Sequence, residues 1–506
     1  MRIGSAPYLQ LAVAISVFSL HRFHMLVSAN KMTIRSTPRV CIIGAGAAGL
    51  VTAKVFLEDG ISDITILEKA NEVGGTWRYV PSTSVMYSSL RTNLPKEVMA
   101  FHYDDPIPND SSHDSFISHY EVQKYLEAYA DKYNIRRYIS FNSEVTAVTK
   151  CSKEEEEGSL QGTQGRDEDR ARWKVSYKSG PKNAVQSQVF DALVICNGHF
   201  STPFIPTIEG MSSFKGRLLH SARYDHPQEY VNSRVLVVGG KSSGADLARE
   251  ISFHAKEVIV SDRSYVGESQ VHGNIVLYSD ILRITADGDV LFVSGGTAKS
   301  IDTIVFCTGF LYECPFLSSS PELQHLAGPT KALRPLYQQL FATPYSNVAL
   351  LGLPFSVIPF PLFYFMACFV SSVLRRKVSL PTAESQLEWV NALETRLKAQ
   401  NLFPDKYHYL GMTQFDYMRS YASQAGVDTM KTLSYIRMLE EIYTDNSRYK
   451  PSYPGAPDNY RSRQYSCDIK GYYCTYNFNY FHNLIIYSLE LSMDFAWAVR
   501  DSPLRK

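Results

Sequence analysis

Val40-Cys41-Ile42-Ile43-Gly44-Ala45-Gly46-Ala47-Ala48-Gly49 is an apolar run that breaks into a glycine turn and continues into an apolar helical pattern. The same arrangement recurs much further along as Val235-Leu236-Val237-Val238-Gly239-Gly240-Lys241-Ser242-Ser243-Gly244. One such turn says little, because a strand can pass into a helix this way without any ligand. Two of them, each between a strand-like and a helix-like run, imply two dinucleotides held for electron transfer between them. In the first turn Gly44 permits the sharp bend, Gly46 lets backbone approach a pyrophosphate, and Gly49 lets helix pack on strand. Ala47 and Ala48 open the helix, whose unpaired N–H groups face the phosphates. The next strand, Ile64 to Leu67, ends in Glu68, which lies roughly 20 residues past the turn, where a ribose-binding acid belongs. The expected class is α/β, with two Rossmann-like dinucleotide-binding domains.

Between and around these units the pattern assigns further elements. Tyr120, Val122, Tyr125, Leu126 and Tyr129 recur at helical spacing across Ser118 to Tyr133. Lys153 through Arg172 is low in apolar residues and reads as a solvated loop between strands. Trp173 to Tyr177 alternates like an edge strand, and Phe190 to Cys196 reads as a buried one. The second unit continues through the helix Gly244 to Phe253, the strand Val258 to Val260 and the strand Ile301 to Cys307. The chain then returns to the first domain. The expected division is therefore 37–205 and 308–445 for a first nucleotide domain interrupted by 206–307, the second. Residues 446–506 form a tyrosine-rich tail that fits neither.

At 506 residues the chain is long enough for two or three domains and a large core. Its net charge of +1 gives no reason to expect nucleic acid as a partner. Eight cysteines contain no CxxC pair, which argues against zinc fingers and dithiol redox motifs, and no metal is expected. Most lie in apolar runs as small core residues, while Cys467 and Cys474 could pair in an oxidising compartment. Residues 1–29 read as a secretory leader: Arg2, the apolar stretch Leu9 to Leu20, then Val27-Ser28-Ala29 as a cleavage pattern. That reading places the protein outside the cell or in the endoplasmic reticulum lumen; a start at Met32 would leave it cytoplasmic. Phe355 to Leu374 is apolar over a membrane-spanning length, but Pro359 and Pro361 favour a loop and then a buried helix from about Leu362. Membrane association is not the favoured reading, and a homo-oligomer is compatible with the composition.

Phe214-Lys215-Gly216-Arg217-Leu218-Leu219-His220-Ser221-Ala222-Arg223-Tyr224 matches the pattern FxGxxxHxxxY, and with it the chain resembles the flavin-containing monooxygenases. The related Baeyer–Villiger enzymes carry tryptophan at the position of Tyr224. Further motifs follow in that family's order. They are Gly74-Gly75-Thr76-Trp77, then Leu90-Arg91-Thr92-Asn93-Leu94-Pro95-Lys96, and Phe306-Cys307-Thr308-Gly309-Phe310. The resemblance runs from Val40 to about Leu380, and its wording is nearest to the short N- and S-oxygenases, such as insect alkaloid N-oxygenases and plant glucosinolate S-oxygenases. It implies FAD in the interrupted domain and NADPH in the inserted one. It further implies that hydride passes to flavin, that reduced flavin takes O2 to a C4a-hydroperoxide, and that a small amine or sulfide accepts the distal oxygen. Such chemistry requires no acid–base dyad; the flavin does the hard step while protein orients and excludes water.

On this resemblance the FAD residues are Gly44, Gly46, Ala47, Ala48, Gly49 and Glu68, with Gly75, Thr76, Trp77, Leu90, Thr92, Asn93, Thr308 and Gly309. Asn93 is the catalytic candidate, because one amide both donates and accepts beside the flavin. Gly239, Lys241, Ser242, Ser243 and Gly244 would take the NADPH phosphates. Arg263 would pair with the 2′-phosphate, with Ser261 adding a hydrogen bond. His220 and Tyr224 belong to the signature beside this nucleotide, and a domain-linking role fits His220 better than proton transfer. Lys241 stands where the second glycine belongs. Either its charge helps hold phosphate, or NADPH binding is weakened and the protein is a flavin binder with little turnover. A two-dinucleotide disulfide reductase would need a cysteine pair after the first unit, and Glu68 to Tyr120 contains none.

Overall fold

The computed structural model describes residues 37–81, 83–108, 114–152, 170–180, 183–265, 269–271, 273–451, 458–468 and 473–477. The leader and most of the polar tract before Arg172 lie outside these residues.

Two sheets carry the molecule. The first has seven strands, in the order Leu336–Tyr337, Phe341–Ala342, Val348–Leu350, Ala192–Ile195, Val40–Ile43, Ile64–Leu67 and Ile139–Ser140. Val348–Leu350 through Ile139–Ser140 run parallel. Val40 and Ile42 enter one apolar cluster while Cys41 and Ile43 enter another, so the strand is buried on both faces. That is why its sequence is continuously apolar rather than alternating. The first cluster lies under helices α1 (Ala47–Glu58) and α2 (His119–Lys132). The second lies under a three-stranded antiparallel sheet, Ser143–Lys150, Trp173–Ser179 and Ala184–Phe190. The apolar run at Phe190 is not one strand: it divides at Asp191 into the end of this sheet and the start of Ala192–Ile195.

The second sheet has six strands and is built wholly from residues between Arg217 and Phe306, between two strands of the first sheet in chain order. Its Arg234–Val238 strand is flanked in parallel by Glu257–Ser261 and Thr303–Phe306, and α3 (Ser242–Ser252) follows the glycine turn. The chain leaves and re-enters the first lobe through a short antiparallel pair, Thr202–Pro203 with Phe310–Leu311.

Four helices complete the first lobe: α4 (Pro359–Leu374), α5 (Ala383–Ala399), α6 (Gln414–Ala425) and α7 (Met430–Tyr449). The segment expected to begin with a loop is helical from Pro359. Its two prolines sit in the first turn, where a missing N–H costs nothing because that position has no intrahelical acceptor. α4 is a core helix, with Phe360, Phe365 and Phe369 at most 1% exposed, and burial of each contributes on the order of 2 kcal/mol. Among the described residues no helix is long and apolar enough to cross a membrane.

The described part of the tyrosine-rich tail joins the first lobe, since Tyr460 and Tyr465 belong to the cluster under α1. In the hairpin Gln464–Asp468 with Tyr473–Asn477, Cys467 and Cys474 stand opposite each other in register.

Candidate functional site

The two glycine turns have the same architecture. A Cβ on Gly44 would meet the Cys196 carbonyl oxygen at 2.5 Å, and one on Gly239 would meet that of Cys307 at 2.6 Å. A Cβ on Gly49 would lie 1.9 Å from the Gly44 oxygen, and one on Gly244 would lie 1.7 Å from the Gly239 oxygen. Only glycine fits these four positions, because each faces backbone that cannot move aside. α1 and α3 both begin without a side-chain cap, at Gly46 and Lys241, and neither has an acid in its first turn. Their leading N–H groups are therefore open to phosphate oxygens.

Glu68 is buried and holds the first turn from below. It accepts from the Ala45 N–H at 2.7 Å and the Ala70 N–H at 2.8 Å, which leaves lone pairs for a ribose diol. Gly74-Gly75 closes over this turn: the Gly74 N–H donates to the Ala45 oxygen at 3.1 Å, and Gly46 packs on Gly75. Thr76 and Trp77 follow, half-buried, with Trp77 edge-on to Phe360. A cradle lined by Ala47, Ala48 and this loop, with an open helix end and a tethered acid, fits the FAD pyrophosphate and ribose.

The acid that holds the second turn escaped the sequence reading. Asp262 accepts from the Gly240 N–H at 2.9 Å, the counterpart of Glu68 and Ala45. Burial pushes its carboxyl up, but the Ser264 hydroxyl, the Ser264 and Gly240 N–H groups and the Lys241 charge together hold it below the usual value. Its position just after the strand Glu257–Ser261 was the available signal. The Ser261 carbonyl accepts from the Gly239 N–H of the turn, while its hydroxyl donates to the Ser279 carbonyl at 2.7 Å. Arg263 is exposed, and neither its side chain nor that of Lys241 makes a hydrogen bond or ion pair among the described residues. Lys406 lies within the field of both: burial lowers its ammonium, Asp405 opposes this, and Lys241 and Arg263 lower it further. Three cations around one turn fit a dinucleotide carrying an additional phosphate.

Lys241 is accommodated without strain. Its φ of −82° and ψ of −161° nearly repeat the −77° and −173° of Gly46. Gly46 packs against Gly75, which a Cβ there would meet at 3.4 Å, whereas Lys241 is exposed. Ser242 and Ser243 are exposed at the start of α3, and Gly244 is buried beneath them.

Other expected site residues are structural neighbours of these turns. His220 accepts from the Ala222 N–H at Nδ1 (3.1 Å), so Nε2 carries the proton and donates to the Gly309 carbonyl at 3.0 Å. Burial lowers its pKa, so the ring is a neutral tether between the signature strand and the lobe junction. Tyr224 donates to Glu250 on α3 at 2.6 Å. Thr308 and Gly309 follow Cys307, whose carbonyl lies against the second turn, and the Thr308 hydroxyl donates to the Phe204 carbonyl. The equivalent neighbours of the first turn are Asn197 and Gly198, after Cys196. His199, next in line, donates from Nδ1 to the Gly352 carbonyl at 2.7 Å, and burial lowers its pKa to about 4. That bond sets Gly352 against Ala48 at the start of α1.

Leu90 packs on the second lobe's core, and Thr92 is buried with both its N–H and hydroxyl engaged by Ile117. Asn93 is half-buried and its side-chain amide has no partner among the described residues. Its backbone, by contrast, is held, since its carbonyl accepts from Asn446 Nδ2 at 3.2 Å. An amide kept in place and left unpaired can bind something that is neither protein backbone nor side chain.

Residues 37–269 match the family model described as flavin-binding monooxygenase-like. The chain is 33% identical over 413 residues to flavin-containing monooxygenase FMO GS-OX-like 4 of Arabidopsis thaliana, covering 76% of this chain and 87% of the relative. S-allyl-L-cysteine S-oxygenase from Allium sativum superposes with a TM-score of 0.73 at 30% identity, over 86% of this chain and 97% of that one. Tmm from a Pelagibacter species, at 23% identity and a TM-score of 0.67, covers 84% and 92% and shares the fold.

Proposed function

Because the chain belongs to the flavin-containing monooxygenase family, with FAD and NADPH as cofactors, we propose that it places one oxygen atom of O2 on a soft nucleophilic sulfur or nitrogen of a small molecule. The balance is simple: NADPH and a proton supply two electrons and two hydrogens, one oxygen atom leaves as water, and the other becomes the S-oxide or N-oxide. When bound, FAD supplies the oxygen activation. The unpaired amide of Asn93, on a loop whose Leu90 packs on the second lobe and whose backbone is held by Asn446 and Arg461, is the observation that carries this reading. Asn93 would donate to and accept from the groups beside the flavin, orienting nicotinamide and the reacting oxygen. Similarity to an S-allyl-L-cysteine S-oxygenase supports sulfur as an acceptor.

The first test is oxygen uptake driven by NADPH with purified FAD-loaded protein, comparing a thioether with a tertiary amine. Uptake matched one-for-one by sulfoxide or N-oxide supports the proposal. Uptake recovered entirely as hydrogen peroxide with both would overturn it.

Arg263 would select the phosphorylated nucleotide. Loss of a charge-assisted contact predicts a rise of about 10- to 100-fold in KM for NADPH in Arg263→Ala, with KM for NADH within about twofold of the parent. Equal rises for both nucleotides would remove the assignment.

A further inference from the structure

The two peptide planes that flank Asn93 are both held by side chains from far along the chain, one on α7 and one in the segment after it. Arg461 Nε donates to the Thr92 carbonyl at 3.0 Å, and Asn446 Nδ2 donates to the Asn93 carbonyl. With the Thr92 N–H and hydroxyl already engaged by Ile117, Arg461 takes the remaining acceptor of that residue. Fixing both planes fixes the direction in which the Asn93 side chain leaves the backbone.

The other edge of the same guanidinium reaches the second lobe. Nη1 and Nη2 grip the Asp246 carboxylate at 3.1 and 2.9 Å, and Nη1 also donates to Asp458 at 2.9 Å. Asp246 lies on α3, the helix that opens at Lys241, Ser242 and Ser243. Arg249, also on α3, donates to Asp246 at 2.7 Å and lies 3.5 Å from Asp458, so two cations and two carboxylates alternate. The Arg461 side chain is 6% exposed, which removes water as a competing partner and makes a bidentate pair directional.

We propose that Arg461 is a positioning residue that locks the Asn93 loop to the NADPH helix, so that oxygen transfer stays coupled to nucleotide consumption. This rests on the reading of Asn93 given above. The lock spans the lobes: a displacement of α3 is passed through one guanidinium to the Thr92–Asn93 peptide. Lysine cannot replace it, since one ammonium cannot grip a carboxylate with two parallel bonds and also meet a carbonyl on its opposite side.

The test uses full-length, FAD-loaded Arg461→Gln, Arg461→Lys, Asp246→Asn, Asn93→Ala and the Arg461→Gln/Asn93→Ala double variant, with NADPH and thioanisole. The readouts are sulfoxide formed per NADPH consumed, hydrogen peroxide released, FAD content and melting temperature. A misplacement on the ångström scale predicts that sulfoxide per NADPH falls about tenfold in Arg461→Gln and Asp246→Asn, with the missing electrons recovered as peroxide. The double variant should be no worse coupled than Asn93→Ala alone, because both changes act on one group. Arg461→Gln and Asp246→Asn that couple like the parent, while Asn93→Ala leaks, would overturn the lock alone. Asn93→Ala that couples like the parent would overturn the reading beneath it. Loss of FAD and melting temperature, with unchanged coupling in the remaining holoenzyme, would make Arg461 a staple only and also overturn the proposal.

Discussion

Gly244→Ala should abolish reduction by NADPH while leaving FAD bound. The added methyl would sit 1.7 Å from the Gly239 carbonyl oxygen and 2.9 Å from its carbon, both backbone atoms at the bottom of the turn. Relief requires α3 to move away from the strand Arg234–Val238, and with it the N–H groups offered to the nucleotide phosphates. A shift of that size predicts a fall of about 10²-fold in the rate of flavin reduction by NADPH. Reduction by dithionite and the yellow colour should both persist, because the first turn is untouched. Gly49→Ala is the mirror experiment: its methyl meets the Gly44 oxygen at 1.9 Å, and the purified protein should lack FAD. Reduction of Gly244→Ala by NADPH at the parental rate would remove the second turn from NADPH binding.

Asn93→Ala should produce the opposite separation, with nucleotide oxidation retained and oxygen transfer lost. The alanine removes the only side-chain group on the Thr92–Leu94 loop that is not already bonded to protein, since Thr92 is engaged by Ile117. It leaves the backbone bonds from Arg461 and Asn446 in place. Removing one preorganised donor predicts a fall on the order of 10²-fold in product formation. The electrons should appear as hydrogen peroxide. Asn93→Asp tests the donor by itself, because a carboxylate accepts but cannot donate and should fall with the alanine variant. Parental product yield from both would take Asn93 out of the chemistry.

How much of this was legible in the sequence varies with range. The helix at Ser118 was readable because its signals are adjacent: Ser118 caps Glu121, and Glu121 returns the bond to Ser118. For Asp262 the local signal is its place just after the strand Glu257–Ser261, as Glu68 follows Ile64–Leu67, but its bond to the Gly240 N–H is visible only in the fold. Ser261 is expected, beside Arg263, to add a hydrogen bond to the nucleotide. Strand alternation instead sends its hydroxyl to Ser279. Thr308 and Gly309 resemble a flavin motif in wording, and the parallel pairing of Thr303–Phe306 with Arg234–Val238 sets them just past the end of a strand in the second sheet. The prolines at 359 and 361 look like breakers on paper and act as a helix start, since the first turn needs no donor there.

Two strand–turn–helix units, one inserted in the other's path, are legible in the chain because bend, close approach and helix start are each decided by residues a few positions apart. Which groups complete the site depends on contacts made only in the folded molecule. The bond from Arg461 to Thr92 joins residues 369 positions apart. The direction of a side chain that far away depends on how α7 and the tail pack against the first lobe, and packing at that range leaves no local periodicity to read.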